Sequence, residues 1–111
     1  MKTMYTESAP GRADVDALRG PALLEFGTNW CGHCRAAQGA LTDAWAAAQA
    51  EAGVAHFKIE DGPGRALGRS FRVKLWPTLI FLRDGVEVAR VVRPLDAADL
   101  APAFALLTAA A

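Results

Sequence analysis

Short apolar runs of strand length alternate along this chain with stretches patterned for helix, and that order leaves few folds open. Ala22–Gly27 reads ALLEFG and Thr78–Arg83 reads TLIFLR. Each suits a strand buried on both faces and is too short for a core helix. Between them, Ala37, Leu41, Ala44, Trp45, Ala48 and Ala52 fall on one stripe at helical spacing, and Gly53 stands where a helix C-terminal glycine belongs. Val54–Glu60 (VAHFKIE) predicts a second strand, Asp61-Gly62-Pro63-Gly64 a turn, and Arg65–Arg72 a short helix. Asp84-Gly85 separates TLIFLR from Val86–Val92 (VEVARVV), a strong hairpin signal. Upstream, Met4–Thr6 is a candidate edge strand and Asp14–Leu18 a short helix closed by Gly20-Pro21. Downstream, a last helix carries Leu100, Phe104 and Leu107. Capped by Asp99, it would hold Pro102 harmlessly in its first turn; capped by Asp96, it would kink there. Strands separated by helices imply a parallel arrangement covered on both faces, to which the terminal hairpin adds antiparallel strands. The predicted class is α/β, a central mixed sheet of about four to five strands flanked by helices.

The 111 residues fit a single domain over 1–111. Lys plus Arg and Asp plus Glu both number 12, so the basic excess that nucleic acid demands is missing. No apolar run reaches the roughly 18 residues of a membrane span. The N-terminal MKTMYTESAPGRADVD lacks the apolar centre of a signal peptide. A monomer in the cytoplasm is expected, unless an export signal has been cut away.

The only two cysteines stand in Trp30-Cys31-Gly32-His33-Cys34. The spacing places both sulfurs on a first helical turn, within disulfide reach. Disulfide exchange proceeds through a thiolate. Three local features bear on the thiolate of Cys31: its place after a strand at a helix start, where free N–H groups and the helix dipole favour negative charge; His33 two residues on; and Cys34 on the same first turn. Cys31 is then the exposed attacker and Cys34 the buried resolver. A zinc site would need four ligands, and only His33 and His56 could join the cysteines, so no metal is expected. Two inert buried thiols are the remaining alternative. Against both, a C-x-x-C beside a βαβ pattern reads as a redox motif.

Taken together, LLEFGTNWCGHC and LWPTLIFLRDG resemble the thioredoxin family, and the order of elements is similar over nearly the whole chain. The CGHC centre is like that of protein disulfide isomerase domains, where ordinary thioredoxins carry a proline in the place of His33. The resemblance implies a thioredoxin fold and thiol–disulfide exchange through Cys31 and Cys34. It also implies protein disulfide or dithiol substrates, no organic cofactor, and an external reductase or thiol reductant that resets the pair. Trp76-Pro77-Thr78 resembles the family's cis-proline loop, in which the residue before the proline pairs with substrate as an added strand. An ordinary proline at a strand start is the plainer alternative.

The resemblance also gives Glu25 a role, since the family places a buried acid six residues before the attacking cysteine to help move the resolving cysteine's proton. Burial is expected to raise its pKa. An acid turned out at a sheet edge is the other reading. His56 and Lys58 share a strand face, and either can reach Glu25. His56 is equally well read as a satisfied core histidine. Trp30 and Trp76 would form an apolar rim around Cys31, with Gly32, Pro77 and Arg93 completing a substrate groove; either tryptophan could instead plug the core. Three positions depart from the family. Gly39 replaces a helix-kinking proline, Gly27 replaces a usual side chain after the strand, and Arg93-Pro94 replaces a small glycine-containing loop. A rival reading remains: a thioredoxin-like binding module that docks through Trp30, Trp76 and Pro77, its cysteine pair a redox switch or relic.

Overall fold

The computed structural model describes residues 1–109. Its elements are α1 (Arg12–Asp16), β1 (Pro21–Gly27), α2 (Gly32–Ala36), α3 (Gln38–Ala47), β2 (Ala55–Glu60), α4 (Ala66–Ser70), β3 (Thr78–Arg83), β4 (Val86–Val92) and α5 (Ala101–Thr108). The four strands form one sheet in the order β2-β1-β3-β4. β1 runs parallel to β2 and antiparallel to β3, and β3 pairs antiparallel with β4. This is the mixed α/β sheet expected. Among the described residues, no helix is long and apolar enough to cross a membrane.

Strand alternation sorts the apolar runs onto two faces. Leu23, Leu79 and Phe81 join Leu41, Trp45, Leu100, Phe104 and Leu107 beneath α3 and α5. Ala22, Leu24, Phe26, Ile80 and Leu82 join Val15, Leu67 and Phe71 on the other face. Both faces of β1 and β3 are therefore dry. Glu25, two residues after Leu23, belongs to the α3 side, opposite Lys58 in the parallel ladder.

Several boundaries differ from expectation. Met4–Thr6 is reduced to one bridge, Thr6 to Ile59. The helix after the cysteines is interrupted at Ala37 and ends at Ala47. A 3-10 turn over Ala50–Ala52 follows it, so Ala50 is buried and Ala52 exposed. The left-handed residue that ends α3 is Gln49 (φ 53°), and Gly53 is not left-handed (φ −160°, ψ −2°). Asp96 caps a separate 3-10 turn, Ala97–Asp99. Pro102 consequently lies in the first turn of α5, where its missing N–H costs nothing.

Candidate active site

The β1–α2 junction sets the geometry of the cysteines. β1 delivers the chain to the end of the sheet, and Cys31 becomes the N-cap of α2 (φ −79°, ψ 121°). Its Sγ accepts a hydrogen bond from the Cys34 N–H at 3.2 Å, so a sulfur does the work of a capping oxygen. Both thiols are free. Cys31, expected to be exposed, is buried like its partner because the Trp76 and Tyr5 rings pack against the cysteine pair; it keeps 8% of its surface exposed and Cys34 only 1%. Burial, reinforced by the adjoining Cys31, pushes the Cys34 thiol up to about 11; a Thr28 backbone hydrogen bond and the Tyr5 hydroxyl pull the other way. Cys34 thus holds its proton at neutral pH.

Beneath the cysteines lies a polar cluster inside the apolar core. Glu25 is fully buried. Its Oε2 accepts from the Tyr5 hydroxyl at 2.7 Å and from the Gln38 amide at 3.0 Å, and lies 3.4 Å from Lys58 Nζ. Its Oε1 is 3.0 Å from His56 Nε2. The Lys2 backbone N–H donates to His56 Nδ1 at 2.9 Å, which fixes His56 as the neutral tautomer with its proton on Nε2, facing Glu25. Both candidate partners therefore reach the acid, and Lys58 supplies the charge. Gln38 spends its whole amide here: the nitrogen also donates to the Cys34 carbonyl at 2.9 Å, and the oxygen accepts from Lys58. That carbonyl is the acceptor an unbroken helix would offer the Gln38 backbone, which accounts for the interruption at Ala37.

Burial by itself would raise the Glu25 pKa, the expectation from sequence. His56, the Lys58 charge, Gln38 and Tyr5 together outweigh it and hold the carboxyl below its ordinary value. The direction is corrected because the donors come from three other segments.

Trp30 is 70% exposed and meets the half-buried Trp76 edge-on, with ring centroids 5.8 Å apart. Trp76 is fixed by its indole N–H, which donates to Asp61 at 2.9 Å. The Trp76–Pro77 peptide is cis, and Pro77 is buried. Arg93, at φ 53°, turns its Nε onto the Trp76 carbonyl at 2.8 Å, while its own N–H donates to the Pro77 carbonyl at 3.0 Å. Gly32 is exposed, and a Cβ there would meet nothing within 4 Å. His33 is exposed too, and among the described residues its ring makes no hydrogen bond to either sulfur. Trp45 lies in the core as expected, with its N–H on Glu51 at 2.7 Å.

Reading the sequence did not find Tyr5, Gln38 or Asp61. Gln38 carried a signal, since four residues beyond Cys34 it must share that residue's helix face. Tyr5 carried none locally.

Because the Glu25 pKa is depressed, the carboxylate contributes stability that is complete above its unfolded value and lost as pH falls through the folded one. Glu25→Gln leaves Lys58 buried without its counter-charge. It should cost about 3 kcal/mol at neutral pH, and its stability should fall less than the wild type's on acidification from about pH 5 to about pH 3. Urea denaturation across this range checks both; parallel pH curves would contradict the ion-pair assignment.

Comparison with known proteins agrees with this fold. Residues 4–105 match the sequence profile of the Thioredoxin family. Thioredoxin 2 from Pseudomonas aeruginosa PAO1, in its reduced form, superposes with a TM-score of 0.83 at 59% identity, over 96% of each chain. Thioredoxin from Mycobacterium tuberculosis is 31% identical over 90 residues, 81% of this chain and 76% of that protein. Protein disulfide-isomerase A2 from Pongo abelii is 45% identical over 67 residues, which is 59% of this chain but only 13% of the much longer relative. The chain belongs to the thioredoxin family, and its CXXC pair makes it a thiol–disulfide oxidoreductase.

Proposed function

We propose that the chain acts as a single monomeric domain in the cytoplasm, exchanging disulfides with protein clients, Cys31 attacking and Cys34 resolving. The supporting observation is the difference between the sulfurs: both are buried, but Cys31 caps the helix and keeps 8% of its surface exposed, while Cys34 keeps 1%. Cys31 forms the mixed disulfide with a client. Cys34 displaces the reduced client and leaves the Cys31–Cys34 disulfide. An external reductase or thiol reductant resets the pair, and no bound cofactor takes part. Glu25 receives the proton that Cys34 must lose. His33 adds positive charge near Cys31 when protonated and so favours the reduced form. Trp30, Gly32, Trp76, Pro77 and Arg93 line the client groove, with the cis-proline loop as the strand-pairing edge.

Cys34→Ser should accumulate mixed disulfides with clients on a non-reducing gel, whereas Cys31→Ser should trap few. Equal trapping by the two variants would reverse or erase the assignment.

His33→Pro removes a screened charge and should lower the reduction potential by tens of millivolts at most, a limit set by about 30 mV per 1.4 kcal/mol for a two-electron couple. Glutathione titration of both proteins measures this; an unchanged or higher potential would remove His33 as the tuner.

Arg93 already holds the Trp76 carbonyl that an added client strand would need. Arg93→Ala should free it and lower KM for extended peptide disulfides about fivefold, the worth of roughly one hydrogen bond. An unchanged or raised KM would mean that Arg93 assists clients instead.

A further inference from the structure

Tyr5 is the group that touches both the acid and the resolving cysteine. Its ring packs with Cys31 and Cys34 in one buried cluster. Its hydroxyl donates to Glu25 Oε2 at 2.7 Å. Hydroxyl and sulfur border the same space beside Gly27: a Cβ there would lie 2.5 Å from Cys34 Sγ and 2.8 Å from Tyr5 Oη. The family's usual side chain at position 27 is missing here, and Tyr5 enters from the N-terminal segment to fill the place. Its backbone is clamped for the purpose. The Tyr5 N–H donates to the Asn29 side-chain oxygen at 2.8 Å, and the Asn29 amide returns a bond to the Tyr5 carbonyl at 3.0 Å. Thr6 then joins β2, with its N–H on the Lys58 carbonyl at 3.1 Å. Among the described residues, no hydrogen bond links Cys34 Sγ to Glu25 or to Tyr5 in this resting, reduced state; Tyr5 is the Glu25 donor that packs with the cysteines, the others being Gln38 and His56, with Lys58 as counter-charge.

We propose that the Tyr5 hydroxyl relays the resolving proton between Cys34 and Glu25. This rests on the oxidoreductase reading above and adds a residue to it. In the mixed disulfide, Cys34 S–H gives its proton to Tyr5 Oη as the Tyr5 proton passes to the Glu25 carboxylate. The Cys34 thiolate pair forms the bond to Cys31 Sγ, the bond from Cys31 to the client sulfur breaks, and the client leaves as a thiolate. The cysteine pair is thereby oxidised by two electrons and the client disulfide reduced by two. The proton on Glu25 then returns through Tyr5 to solvent, reached by a cavity of about 170 Å³ lined by Tyr5, Cys34, Gln38 and Lys58, among others. The charged and titratable groups around the hydroxyl are Glu25 from β1, Cys31 and Cys34 at α2, and Lys58 from β2, whose Nζ is 4.7 Å from the Tyr5 ring centroid; neutral His56 acts only through Glu25. Lys58 keeps Glu25 ionised, so an acceptor is always present, and makes it a weak one, so the proton is not retained.

Tyr5→Phe removes the hydroxyl and keeps the ring. Stopped-flow reaction with dithiobis(nitrobenzoate) releases a first coloured thiolate when Cys31 attacks and a second when Cys34 resolves. In the wild type, a missing first phase would sink the oxidoreductase reading itself. In the variant, the second phase should slow at least about tenfold at neutral pH. The deficit should shrink towards the wild-type rate as pH approaches the Cys34 value of about 11, where the thiol ionises unaided. A wild-type second phase, or a slowing equal at every pH, would overturn the relay. A second measurement does not depend on that variant. Tyr5 is the only tyrosine in the chain, so biosynthetic fluorotyrosine places a single fluorine label on it. In Cys31→Ser, its resonance should move in step with Cys34 ionisation followed by thiolate absorbance; a resonance that stays flat through that titration would overturn the contact.

Discussion

The buried Glu25 carboxylate is the interaction on which the site depends. A bare acid in a dry sheet is several kcal/mol unfavourable. Here it is offset by the Lys58 charge and by hydrogen bonds from Tyr5, Gln38 and His56. Those donors come from the N-terminal segment, α3 and β2, so satisfying one carboxylate fixes three pieces of chain against β1. The same demand shapes the backbone. The Gln38 side chain serves Glu25 and takes the Cys34 carbonyl where the helix is interrupted at Ala37, and the first short segment is the one that presents both cysteines. A polar cluster of this kind is either fully satisfied or costly, which ties the ordering of the catalytic turn to the packing of the core.

The two cysteines are chemically unequal for reasons visible in the fold. Cys31 follows the turn that leaves β1 and caps a helix, in the cluster against which Trp76 packs. Cys34 points down, against Tyr5 and Gly27. The small difference in access is what supports the proposed division into attacker and resolver, and enclosure keeps the Cys34 thiol protonated. The groove beside them is partly self-occupied. Arg93, held in a left-handed conformation, lays its guanidinium on the Trp76 carbonyl, so a client strand pairing there, as proposed, would compete with the protein's own side chain.

Much of this was legible in the sequence. The apolar runs ALLEF and TLIFL, the Asp84-Gly85 turn and the WCGHC motif are local signals, and each fell where expected. Glu25 stood out because one acid in an apolar strand demands a reason. What stayed hidden was long-range. The contact of Tyr5 with Glu25 spans 20 residues and that of Lys58 with Gln38 also 20, and neither leaves a periodic trace. For the same reason the direction of the Glu25 shift was misjudged: burial is readable in a strand, whereas donors arriving from elsewhere are not. Gly27 was noticed as a departure, and only the packing revealed that its missing side chain makes room for Tyr5. Gly53 misled because a glycine after a helical stripe usually ends it, whereas Gln49 took the left-handed turn four residues earlier.

The central claim is that Cys31 and Cys34 work as one catalytic couple on protein disulfides. Reduction of insulin with dithiothreitol as the terminal reductant, followed by the turbidity of the released B chain, tests it most directly. Turbidity should appear earlier in proportion to added wild-type protein, and replacing Cys31 with serine should return it to the rate of dithiothreitol alone. An unaccelerated reaction with correctly folded, fully reduced wild-type protein would contradict the account and leave the chain a thioredoxin-like docking module.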